Sequence, residues 1–210
     1  MTAEAAAAYL KQSISRSEAE LILSLIDQID DPNIRRDMLA RVNSIQVKAR
    51  MTRIQAAMES IRATCAHGAE QEITLHQQAA RESGSESYYR TIFDAQKGIG
   101  TASPFSAVSI QQIDAVLSEC WLGKNYSQRV WKNADVLAEK LGEIVQTNVS
   151  TGRHWKRCVD DLKGYMVGSQ DAGFMYAASR LLFTEQQRVN NEMSANPACS
   201  WGLTDIGLLP

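Results

Sequence analysis

Apolar residues recur at helical spacing along nearly the whole chain. Leu21, Leu25 and Ile29, flanked by Ile22 and Ile26, repeat every turn and predict a helix over 3–27, broken near 13–17. Asp31 and Pro32 then read as an N-cap and a first helical residue. Ile34, Met38, Val42, Ile45, Ala49 and Thr52 form one stripe; Val47, Met51, Ile54, Met58 and Ile61 form a second. At about 100° per residue the two stripes lie on roughly opposite sides of a single helix over 33–62. Such a helix needs partners on two sides, so it is expected at the centre of a bundle or against a second copy of the chain.

Residues 66–87 turn polar, and Gly84 weakens the helix they can form. Tyr88, Tyr89, Ile92 and Phe93 restore an apolar cluster, and a lysine followed by glycine predicts a helix end near Lys97 and Gly98. Ser109 reads as the cap of a short helix over 110–119. The widest apolar face runs through Tyr126, Val130, Trp131, Ala134, Leu137, Ala138, Leu141, Ile144 and Val145, and the Ser-Thr-Gly at 150–152 should stop that helix. Two more helices are expected over 154–163 and 171–192. No alternating segment of any length is present. The chain therefore reads as mainly α, without a substantial sheet: a long-helix leader over 1–97, a compact helical core over 98–195 and an irregular tail over 196–210.

Composition adds constraints. The 210 residues are 44% hydrophobic and 22% charged, enough to bury a core. A formal charge of −2 and a pI near 6.0 exclude a surface built throughout for nucleic acid. Charge is unevenly placed, however. Residues 33–66 hold seven basic against two acidic side chains, whereas residues 67–120 hold seven acidic against three basic. Such polarity orients a subunit or favours a polyanion on one face. Cys65, Cys120, Cys158 and Cys199 are far apart and form no metal-site spacing. No apolar run approaches the roughly 20 residues needed to cross a bilayer. The alanine-rich N-terminus lacks a preceding basic region and is a poor signal peptide.

Candidate chemistry is sparse. The glycines at 98 and 100 lack the preceding strand and the glycine pattern of a phosphate loop. Glu72 and His76, with His67 and Glu70 a turn earlier, have helical metal-ligand spacing but read more simply as a solvated polar face. Cys158 lies one turn from His154, yet no oxyanion-binding segment accompanies the pair. Aromatic and basic residues interleave around Lys124, Arg129 and Lys132, and again at Arg153, Lys156 and Arg157. These six are candidate contacts to nucleic acid, since cations bind phosphate and aromatics stack on unpaired bases. Glu185 and Arg188 form an i, i+3 pair, as Arg188 and Glu192 form an i, i+4 pair. No catalytic, cofactor-binding or metal-binding residue is assigned.

Three segments, in order, resemble one family. "YYRTIFDAQKGIG", "LGKNYSQRVWKNADVLAEKL" and "SRLLFTEQQRVNNEM" are similar to the minor head, or head-morphogenesis, proteins of tailed bacteriophages. Tyr88, Tyr89, Gly98, Trp121, Gly123, Tyr126, Ser127, Arg129, Trp131, Thr184, Glu185, Arg188, Asn191 and Glu192 fall on the family's pattern, across about 86–193. Phe183 departs from it, standing where the family usually has arginine. The resemblance implies a non-enzymatic, low-copy virion protein of the head, assembled in the host cytoplasm. It implies contacts to portal or capsid proteins and a part in head assembly and in DNA packaging or delivery. Any activity held by the C-terminal extensions of some relatives is not carried over. Two other readings stay open: a DNA-binding accessory protein, marked by salt-sensitive duplex binding, and an effector or toxin derived from a minor head protein, marked by turnover.

Overall fold

Short polar side chains set the helix boundaries. In a computed structural model, which describes residues 3–48, 51–100, 104–120, 123–153, 155–167 and 173–200, eight helices occur and no strand is formed. They are α1 (Ala3–Leu10), α2 (Arg16–Asp27), α3 (Pro32–Lys48), α4 (Arg53–Ile99), α5 (Ile110–Ser118), α6 (Tyr126–Ser150), α7 (Trp155–Val167) and α8 (Phe174–Ser200). Contacts divide the chain into two units that interleave along it. One comprises Met1–Glu72 and Arg129–Ala178; the other comprises Ile73–Gln128 and Ser179–Pro210. This division follows contact rather than chain order, because α4, at 47 residues, is too long for one set of neighbours and contributes to both units.

In the first unit the expected break at 13–17 is a capping box. The Ser15 hydroxyl accepts from the Glu18 amide, and the Glu18 carboxylate accepts from the Ser15 amide at 2.6 Å. Asp31 caps α3 by accepting from the Asn33 amide at 2.8 Å, ahead of Pro32 at the first helical position. The buried stripe of α2 is Ile22 and Ile26, followed by Ile29 in the turn; Leu21, expected with them, is 66% exposed.

The single helix expected over 33–62 is not formed. The chain turns between α3 and α4, where Thr52 caps α4 by accepting from the Gln55 amide. At this turn the Ile14 amide donates to the Met51 carbonyl at 2.9 Å and the Arg53 amide donates to the Gln12 carbonyl at 3.0 Å, a short backbone pairing between two linkers. Ile34, Met38, Val42 and Ile45 of the first stripe lie on α3, and Ile54, Met58 and Ile61 of the second lie on α4; Val47 is on α3, Met51 and Thr52 are in the linker, and Ala49 lies outside the described residues. Met51, in the turn, packs with Ile22, Ile26, Val42 and Ala63 in one apolar cluster. The polar stretch after Ala66 also has structural work. Glu70 accepts from the Asp30 and Asp31 amides at 2.9 and 2.6 Å, fixing the α2–α3 turn onto α4.

In the second unit, Ala80, Tyr88 and Ile92 of α4 meet Ile113 and Leu117 of α5 and Val189 and Met193 of α8. Gly84, one turn before Tyr88, lies under α8. A Cβ there would sit 3.2 Å from both Met193 Cγ and Val189 Cγ1. The glycine that weakens α4 by propensity thus admits a close helix crossing. Ser109 and Gln112 form the capping box of α5, as expected. α4 runs past Gly98 to Ile99, and Gly100, at φ +74, takes the left-handed position that ends it. A Cβ on Gly98 would meet nothing within 4 Å, so no close approach requires glycine there. α8 continues to Ser200, five residues into the segment expected to be irregular, because the helical hydrogen bonds carry past Glu192.

Candidate functional site

Part of the family-like pattern meets in the second unit, whereas Arg129 and Trp131 belong to the first. Tyr88, 5% exposed, donates its hydroxyl to the Ser106 carbonyl at 2.8 Å and so ties the loop before α5 to α4. Tyr89 points outward, edge-on to Tyr88 at 5.4 Å and to Phe105 at 6.1 Å. Tyr126, 3% exposed, lies against the ring of His76 at 3.9 Å between centroids. On α8, Glu185 is 1% exposed and accepts from Arg188 Nε at 3.1 Å. Arg188 also donates to the Val116 carbonyl at 2.8 Å, fixing the C-terminal half of α5, and lies 3.7 Å from Glu119. Thr184 is exposed and donates back to the Arg180 carbonyl at 2.8 Å, taking no part in this cluster.

His76 was legible only as a polar helix residue, yet it is buried. Neither ring nitrogen has a hydrogen-bond partner. Burial pushes the imidazole pKa below its usual 6.5; the Glu185 charge opposes this and the Arg188 charge adds to it. A depressed histidine pKa means that the fold favours the neutral ring. Its contribution is whole above about pH 6.5 and is lost as the pH falls below that value, until the folded-state pKa is passed. Thermal melts between pH 8 and pH 5.5 should show an acid-side loss, at most about 1.4 kcal/mol per pH unit from this one group. His76→Phe should flatten that loss; an unchanged pH profile in this variant would refute the assignment.

The first unit holds its own buried acid. The Glu59 side chain is 3% exposed, ion-paired to Arg62 and 3.4 Å from Arg41. Its signal in the sequence was its position as one of two acids among seven cations. Trp131, expected as a core residue, is only partly buried: it lines a cavity of about 290 Å³ with Ile34, Met38, Arg41, Arg62 and Cys65. Burial raises the Cys65 thiol pKa, and Asp135 adds to this. The thiol of Cys158 is also raised, by burial and then by Asp161, the opposite of an activated nucleophile. His154, its suggested base, lies outside the described residues, as does Trp121.

The six candidate nucleic-acid contacts divide between the two units. Lys124 belongs to the second unit; Arg129, Lys132, Arg153, Lys156 and Arg157 belong to the first. Within the first unit, Lys132 and the end of α6 at Ser150 are 18 residues apart, about 27 Å of helix. Arg129 and Lys132 thus lie at one end of α6, while Arg153, Lys156 and Arg157 follow the other. Arg153 is 3.7 Å from Asp161, whose carboxylate also accepts from the buried Asn148 amide at 3.0 Å.

Among the described residues no group of three or more His, Cys, Asp or Glu side chains could hold a metal ion. No described helix is long and apolar enough to cross a membrane. Comparison with family models, with curated proteins and with solved structures finds no match to this chain.

Proposed function

We propose that this chain is a non-enzymatic minor head protein of a tailed bacteriophage, associated with the portal region and acting in head assembly. A part in DNA packaging or delivery belongs to the same reading, with the protein ending in the virion head after assembly in the host cytoplasm. The observation that carries it is that residues from each of the three family-like segments share one interior. Tyr88, Tyr126, Glu185 and Arg188 come from three distant stretches, and all are interior residues of one unit. A pattern that ties helices together has the physical character of a fold signature rather than of a reactive cleft. Its partners would be portal or capsid proteins, engaged through the surfaces that this interior supports.

The test is to co-express the tagged chain with the portal and capsid proteins of a tailed phage and to purify assembled heads. The chain should co-purify with portal and persist in heads at low copy. Its absence from heads that contain portal would remove the assignment. Salt-sensitive retention on duplex DNA, without portal binding, would favour the accessory DNA-binding reading carried by Lys124, Arg129, Lys132, Arg153, Lys156 and Arg157.

A further inference from the structure

The second unit contains a polar cavity of about 310 Å³ whose walls include His76, Arg81, Asp114, Asn125, Tyr126 and Ser127. It lies at the start of α6, a 25-residue helix. Asn125 caps that helix, accepting from the Gln128 amide at 2.9 Å. The amides of the first turn have no intrahelical acceptor, and the helix dipole places partial positive charge there. The Ser127 amide and hydroxyl make no hydrogen bond to the described residues.

Two further features make this more than a helix end. His76 is 1% exposed, lines the cavity and has both ring nitrogens unsatisfied, a costly arrangement for a buried polar group. Arg81 and Asp114 also line it, joined by two parallel bonds at 2.8 and 3.0 Å. The fork occupies both Asp114 oxygens and neutralises the pair as a whole, leaving one guanidinium nitrogen outside it. What remains is a surplus of donors: the Ser127 amide and hydroxyl, the imidazole N–H and the outer guanidinium nitrogen. A donor surplus beside a helix N-terminus selects an acceptor-rich anion.

We propose that this cavity binds a small oxyanion, a phosphate or phosphoryl group, held by the first turn of α6, Ser127, Arg81 and His76. The test titrates inorganic phosphate into the full ¹⁵N-labelled chain at constant ionic strength, with chloride as control. The Ser127 and Gln128 amides and the His76 ring nitrogens should shift and saturate with phosphate and stay unmoved with chloride. Ser127→Ala should weaken binding by about tenfold, the size expected for one lost bond to a charged group. His76→Phe, which keeps a ring against Tyr126, should weaken it as well. Replacing phosphate by a duplex oligonucleotide separates two sources of the same chemistry: response to the free ion alone assigns a small-anion site, and response to both assigns backbone phosphate. Shifts that do not saturate, or equal affinities in the parent and both variants, would overturn the proposal.

Discussion

Arg188→Ala should cost about 3–5 kcal/mol of stability, the range for stripping one partner from a buried ion pair. Arg188 is nearly enclosed, at 12% side-chain exposure, and Glu185 is more so, at 1%. The guanidinium reaches three groups: the Glu185 carboxylate on its own helix, the Val116 carbonyl on α5 and, at longer range, the Glu119 carboxylate. The Glu119 contact is solvent-exposed and worth little. The larger effect comes from leaving the Glu185 charge in a desolvated site without its guanidinium. Removing both charges in Glu185→Ala/Arg188→Ala should therefore cost no more than Arg188→Ala alone, despite the further deletion. Urea unfolding of the two single variants and the double variant gives the coupling directly. Additive losses near zero would make the pair a surface feature and remove the interior role assigned to it.

The helical class, most boundaries and the core face of α6 were legible in the sequence because they depend on neighbours in the chain. Ser15 with Glu18, and Ser109 with Gln112, carry their own caps, and the capping geometry follows. Buried Tyr126, Val130, Ala134, Leu137 and Ala138 follow the apolar stripe. What spacing could not give was which neighbour each face meets. His76, Glu70 and Gly84 looked like parts of a thin, solvated helix, since each is polar or small. In the structure Glu70 holds a turn forty residues away, Gly84 admits α8, and His76 is shut beneath Tyr126. Periodicity registers apolar area, so a helix face buried through a carboxylate, an imidazole and a missing side chain leaves almost no trace in it. The candidate cavity was illegible for the same reason. Arg81 and Asp114 are separated by 33 residues, and only the fold sets them beside the start of α6.

The turn at Met51 separates two accounts of the first unit through a pair of substitutions. In a continuous helix over 33–62, Met51 and Ile54 share one stripe, and a charge at either position would be equally damaging. In the structure Met51 is 2% exposed within the apolar cluster, whereas Ile54 is partly buried in the first turn of α4. An aspartate at 51 would place a carboxylate among Ile22, Ile26 and Val42 with no counter-charge in that cluster, at a cost of about 4 kcal/mol or more. An aspartate at 54 keeps access to water and lies where the N-terminal end of α4 favours negative charge by about 0.3–1 kcal/mol. Its net cost should stay within about 2 kcal/mol, the lost partial burial offset by the dipole. Met51→Asp should thus unfold cooperatively at much lower urea than the parent, or fail to fold, while Ile54→Asp remains close to the parent in midpoint and in helical circular dichroism. Equal destabilisation by the two substitutions would restore the continuous helix and remove the turn on which the packing of α2 and α3 depends.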